Sequence, residues 1–138
     1  MTPDQIDLVQ DTFKRVVPIK EQAAELFYKR LFELDPSLEA MFTGDMRVQG
    51  QKLMSAIATV VGGLKSWEQV EPAVRQLGQR HVGYGVKPEH YETVAAALLW
   101  TLEQGLGDAF TGDVKAAWTT AYQAIAITMM DAAKAEAA

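Results

Sequence analysis

The chain has 138 residues, 49% of them hydrophobic and 22% charged, with no cysteine and a formal net charge of −5. That length suits a single domain, residues 1–138, that buries a full core without staples, and the lack of cysteine excludes disulfides, thiolate metal ligands, thiol catalysis and thioether-linked prosthetic groups. The thirteen basic residues are scattered, which argues against nucleic acid and anionic membranes as partners, and with no long apolar run and no basic-then-apolar leader the expectation is a cytoplasmic chain.

Every long segment reads as helix. Thr2-Pro3-Asp4-Gln5 combines an N-cap, a proline at the first helical position and a capping-box glutamine. The helix it opens turns Ile6, Val9, Phe13 and Val16 to one face and stops at Pro18. A second helix spans about Lys20 to Leu34, with Ala24, Phe27, Leu31 and Leu34 inward. Asp35-Pro36 starts a short helix that ends near Met41-Phe42. After Thr43-Gly44-Asp45, a helix from about Met46 to Val61 carries the stripe Gln49, Leu53, Ala56, Val60 and ends at Gly62-Gly63. Ser66 with Gln69 offers a second capping box, and Pro72 predicts an irregular first turn. The helix that follows places Val70, Val74, Leu77 and His81 in one stripe. Pro88 opens a helix with Tyr91, Val94, Leu98, Leu102 and Leu106, and Thr111 caps a last one with Val114, Trp118, Ala121, Ile125 and Met129 inward. The closing AAKAEAA reads as a frayed helix end. About seven helices of unequal length give an all-α fold, and the uneven lengths argue against a simple four-helix bundle.

Three polar residues interrupt these apolar faces. His81 takes the next step of a buried stripe, where an unpartnered ring costs about 1–3 kcal/mol; its plain reading is a core histidine bonded to a carbonyl. Gln49 lies one turn before Leu53, and its plain reading is a helix-start residue partly in water. Tyr28 is in phase with Ala24, Leu31 and Phe32, and its plain reading is core packing with the hydroxyl reaching solvent. Taken together, three helices direct polar groups into one apolar interior. A single imidazole cannot build a protein-only zinc site, but it completes an iron whose other ligands come from a porphyrin. His90, in the first turn after Pro88, reads as a surface residue.

The chain resembles bacterial single-domain globins and the haem domain of flavohaemoglobins. The resemblance is carried by LFYKRLFELDPSLEAMF (26–42), QGQKLMSAI (49–57), LGQRHVGYGVKPEHY (77–91) and AAWTTAYQAI (116–125), and LLWTLEQGLGDAFT (98–111) is close to neuroglobin-like bacterial members. It covers residues 3–130 and implies helices in a three-over-three sandwich around haem b. It further implies that His81 is the proximal iron ligand, that Phe42 packs on the haem face, and that Tyr28 and Gln49 are the distal pair with Leu53 as their apolar neighbour. Tyr91 resembles the tyrosine that orients the proximal histidine. Leu77, Val86, Val94 and Leu98 then line the pocket, and Arg80 and Lys52 are candidates for the haem propionates, with solvated surface charge as the alternative.

Two distal donors facing a polarised oxygen ligand imply high dioxygen affinity and slow release, which suits conversion of nitric oxide to nitrate or the carriage of oxygen. The chain stops where a globin's last helix ends, so a reductase is expected as a separate partner, and a monomer or weak homodimer is expected. One position departs from the flavohaemoglobin pattern: where a last-helix glutamate pairs with the proximal tyrosine, ungapped counting from Trp118 gives Ala133. The nearest acids are Asp131, on another face, and Glu136 in the tail. The alternative reading is a gas or redox sensor, or an oxygen carrier, that works through a partner without catalysis; a haemless regulatory module would have no use for His81.

Overall fold

The computed structural model describes residues 1–137, with side chains described through residue 135. Six α-helices form: α1 Pro3–Val16, α2 Lys20–Leu34, α3 Met46–Gly62, α4 Trp67–Gly83, α5 Pro88–Leu106 and α6 Gly112–Ala137. The expected capping box closes α1, with Thr2 Oγ1 accepting the Gln5 N–H and Gln5 Oε1 accepting the Thr2 N–H, both at 3.1 Å. Asp35 caps the short helix that follows α2 and Asp45 caps α3, accepting the N–H groups of Ser37 (3.1 Å) and Arg47 (2.8 Å). Thr111 accepts from Val114 at 3.3 Å. The short segment after Asp35 is a 3-10 helix, Pro36–Met41, because so few residues before the Thr43-Gly44 break favour the tighter i→i+3 bonds.

Three local expectations fail for physical reasons. Ser66 does not cap α4: a 3-10 turn over Leu64–Ser66 feeds the helix, and Ser66 at φ −128°, ψ 59° lacks the extended backbone that aims an N-cap hydroxyl at the first turn. Pro72 lies inside α4, which runs on through it and forgoes only the bond to Glu68 O; the irregularity sits in the preceding 3-10 turn. Leu34 is 41% exposed, since the buried face of α2 is Ala23, Ala24, Phe27, Tyr28 and Leu31 and the helix ends before another turn could cover it.

α4 packs chiefly on α6, α2 on α5, and α1 on α6, whereas α3 leans on α2 and touches α4 sparingly. Two apolar clusters result. One joins Val9, Phe13, Val74, Ala117 and Trp118; the other joins Phe27, Tyr28, Leu31, Leu38 and Ala97, and half-buried Leu98 packs against both. The first is pinned by a buried bond in which Trp118 Nε1–H donates to Thr12 Oγ1 at 2.9 Å, while the threonine hydroxyl donates to Leu8 O. Among the described residues no helix is long and apolar enough to cross a membrane.

The α4–α6 contact depends on Gly78. A Cβ at this position would overlap the Met129 backbone of α6, which cannot swing aside as a flexible side chain would. Gly78→Ala is therefore expected to destabilise the fold by at least about 1–3 kcal/mol, the range for overpacking. Gly62→Ala, whose Cβ would meet nothing within 4 Å, should not. Urea unfolding of both variants checks this.

Candidate functional site

The side expected to be distal is built where α2 crosses α3. At Gly50 an added Cβ would stand 2.9 Å from the Ala24 Cβ, so the two backbones lie close. Tyr28 is one turn beyond Ala24, and Gln49 is next to Gly50, so the crossing brings these two polar residues together. Tyr28 is buried. Burial pushes its phenol pKa up, and the neighbouring Gln49 side chain works in the opposite direction. Its ring is walled by Phe27 at 5.1 Å, Phe42 at 5.2 Å and Phe32 at 6.0 Å between centroids.

The stripe predicted on α3 is shifted. Gly50, Met54, Val60 and Val61 take the core, and Gln49, Leu53 and Ala56 are half-buried. Leu53, Phe42, Val94 and Leu98 pack with Tyr28 in one cluster. A recess of about 710 Å³ along the α2–α3 crossing reaches Tyr28, Gly50 and Met54 but not His81.

The side expected to be proximal is the last turn of α4. His81 is half-buried, and its Nδ1 lies 2.5 Å from Leu77 O. A carbonyl only accepts, so Nδ1 carries the hydrogen and Nε2 carries the lone pair. Among the described residues Nε2 has no hydrogen-bond partner, and it is not sealed from solvent. Burial pushes the imidazole pKa down, with the Leu77 carbonyl partly offsetting it.

The helix then closes in a Schellman motif: Val86 N–H donates to His81 O (3.2 Å) and Gly85 N–H to Val82 O (3.1 Å), with Gly85 at φ +80°. This reversal sets half-buried Val86 opposite the His81 turn. Leu77 and Tyr91 are half-buried against the larger cluster. Arg80 and Lys52 are exposed and form no ion pair among the described residues.

Two residues differ from expectation or escaped it. His90 is buried, not superficial: its Nδ1 accepts the Lys87 N–H at 3.0 Å while its own N–H donates to Lys87 O, so the ring folds back to cap α5. Tyr122 of α6 was not anticipated. Its hydroxyl donates to the Tyr91 carbonyl at 2.7 Å, and burial, with Tyr91 nearby, pushes its phenol far up. The signal was present, since Tyr122 follows Trp118 by four residues on the edge of the α6 stripe. Tyr91, whose phenol burial also pushes up, makes no hydrogen bond to His81. Asp131 is exposed and Ala133 half-buried; the Glu136 side chain lies outside the described residues.

No hydrogen bond joins His81 to Tyr28 or Gln49, and no ring pair joins His81 to Tyr28. The two sides meet through Leu98, which packs against both clusters. Among the described residues no three His, Cys, Asp or Glu side chains converge. The site therefore offers one nitrogen ligand, a wall of half-buried apolar side chains and two polar donors on a separate helix pair, a donor set suited to a metal held mainly by a macrocycle.

The globin family profile matches residues 25–129. The chain belongs to the globin family. It is 33% identical over 133 residues to a flavohemoprotein of Xylella fastidiosa (strain Temecula1), covering 94% of this chain and 33% of that protein. It is likewise 33% identical over 123 residues to the flavohemoprotein of Bacillus subtilis (strain 168), covering 84% and 31%. The chain thus spans about a third of the length of the curated relatives it matches. A solved bacterial globin from Campylobacter jejuni superposes with a TM-score of 0.85 at 28% identity, covering 97% of each chain. The fold is the all-α globin fold, and the family implies a haem globin that binds gases.

The lowered pKa of His81 predicts a pH dependence of the haem-free protein. Below its ordinary value of 6.5 the unfolded chain binds a proton that the folded one resists, so stability is full above that pH and falls as the pH drops through it. The urea midpoint should fall between about pH 7.5 and about pH 5.5, and His81→Leu should lose part of that fall.

Proposed function

We propose that this chain holds haem b through His81, binds dioxygen with high affinity, and combines it with nitric oxide to give nitrate. The observation that carries the reading is the His81 tautomer, in which Nδ1–H is committed to Leu77 O and Nε2 keeps its lone pair. A carbonyl on the second ring nitrogen fixes the orientation of a metal-ligating imidazole and raises its basicity. Phe42, Leu53, Leu77, Val86, Val94 and Leu98 would line the macrocycle, and the exposed cations Arg80 and Lys52 would meet its propionates at the rim. When bound, the haem iron supplies reversible coordination of diatomic gases.

The chain's own residues do the rest. Tyr28 and Gln49 would donate hydrogen bonds to a polar diatomic guest in the pocket. The raised pKa of Tyr28 keeps its phenol protonated, and so a donor, at neutral pH. Leu53 and the aromatic wall of Phe27, Phe32 and Phe42 exclude water, which strengthens both bonds. Dioxygen plus nitric oxide plus one electron gives nitrate, so turnover needs a donor. The relatives' name, flavohemoprotein, pairs haem with flavin; here a separate flavin-type reductase is the proposed partner, with no nucleic acid or membrane involved. A cytoplasmic monomer or weak homodimer is the proposed setting.

A second reading, an oxygen carrier or a gas or redox sensor, is favoured by one observation. Among the described residues α6 brings a neutral phenol, Tyr122, to Tyr91. A phenol rather than a carboxylate at that contact would leave electron donation into a bound iron weaker, which suits holding oxygen more than reacting it.

An optical spectrum tests the proposal. A Soret band that moves on reduction and again in air, and is lost in His81→Ala, supports it; no Soret band after haem is supplied sinks it. Nitric oxide added to the oxygenated protein should give nitrate within the mixing time. Slow or absent nitrate formation selects the carrier or sensor reading. Tyr28→Phe should release oxygen about 10- to 100-fold faster, the equivalent of roughly 1.5–3 kcal/mol for a hydrogen bond to a charged group.

A further inference from the structure

Two contacts restrain the His81 ring. The bond from Nδ1–H to Leu77 O fixes the tautomer but leaves the ring free to rock about that bond. The second contact is the ring of Tyr84, with its centroid 5.4 Å from the imidazole and the planes 59° apart. We infer that Tyr84 is a positioning residue that sets the rotational angle of the His81 imidazole, and so the direction in which Nε2 is presented. The inference rests on His81 being the iron ligand proposed above.

Tyr84 is 59% exposed, so burial does not place it. The backbone does. Tyr84 N–H donates to His81 O at 3.1 Å, and the Schellman closure through Gly85 fixes the turn on its other side. Its neighbours Gly83 and Gly85 have open space where a Cβ would stand, so the turn serves no tight packing. Among the described residues the one aromatic partner of Tyr84 is His81. A large half-apolar ring on an exposed turn gains little from hydrophobic burial, whereas a tilted aromatic pair has a preferred geometry and transmits it to the smaller ring. Tyr91, to which the family resemblance assigns this work, makes no hydrogen bond to His81, and its carbonyl is engaged by Tyr122.

The test compares the haem-loaded full chain with Tyr84→Leu and Tyr84→Phe. Proton NMR of the ferric cyanide form reads the angle of the axial imidazole in the spread of the haem-methyl shifts, and transfer of haem to an acceptor protein reads its retention. Tyr84→Leu should change the methyl pattern and speed haem loss about tenfold, the lower end for loss of an outer-shell partner of a metal ligand. Tyr84→Phe keeps the ring and should behave as the wild type. The haem-free melting temperature should be the same for all three, which separates positioning from a structural role.

An unchanged methyl pattern in Tyr84→Leu, or Tyr84→Phe as altered as Tyr84→Leu, overturns the inference while leaving the haem reading intact. No Soret band in the wild-type protein overturns both.

Discussion

The proximal half of the site depends on how closely α4 lies against α6. Gly78 allows that approach because it offers the Met129 backbone no side chain. At 100° per residue, Val70, Val74, Leu77 and His81 all fall within about 100° of Gly78 on one side of the helix. Val70 and Val74 take the centre of the contact and are buried, and Leu77 and His81, nearer the helix end, are half-buried. The exposure of His81 therefore follows from the rotation of α4, and the rotation follows from a glycine three residues earlier. A small shift of α4 would bury the imidazole or turn it to water, and in either case the half-buried setting of Nε2 would be lost.

The distal half repeats the device with different partners. Gly50 meets Ala24, so α3 is held by α2 as α4 is held by α6. Because each helix is fixed from its outer side, α3 and α4 need little contact with each other, and the apolar residues between them stay half-buried. Leu98 on α5 then joins the two clusters as a shared floor. A cleft built in this way has rigid walls without a closed core, which is what a flat macrocycle with one protein ligand requires.

Helix starts were legible where a capping side chain was read from the sequence: Thr2, Asp35 and Thr111 cap as their spacing implies, and Asp45 caps a start that the sequence reading marked only as a break. Ser66 failed because the preceding 3-10 turn, a tertiary outcome, set its backbone. His81 stood out because period 3.6 made it an interruption of an apolar stripe. Gln49 was placed on the right helix, but the core face lies one residue away, because the sequence pattern could not weigh glycine as a contact residue and Gly50 is one. His90 looked superficial since a helix-start histidine ordinarily faces water; its role as an acceptor for the Lys87 N–H depends on a backbone angle that the sequence does not display. Tyr122 could be seen as apolar-face tyrosine but not as a donor to a particular carbonyl 31 residues away.

Among the described residues the two groups that contact the His81 ring, Leu77 O and the Tyr84 ring, carry no carboxylate. Leu77 O accepts from Nδ1 and Tyr84 packs on the ring, while the Tyr122 phenol is engaged with the Tyr91 carbonyl and both phenols are held protonated by burial. A carboxylate on Nδ1 would draw the proton and make the imidazole a stronger donor; a carbonyl does this far less. On the proposed reading Tyr28, walled by aromatic rings, and half-buried Gln49 would supply two hydrogen-bond donors on the other side. On that reading, modest donation from one side with strong stabilisation from the other would favour retaining a polar diatomic ligand over cleaving it. Reaction with nitric oxide needs no such cleavage before attack, so the same asymmetry is compatible with nitrate formation. It makes the supply of electrons, rather than the grip on oxygen, the step that decides between a catalyst and a carrier.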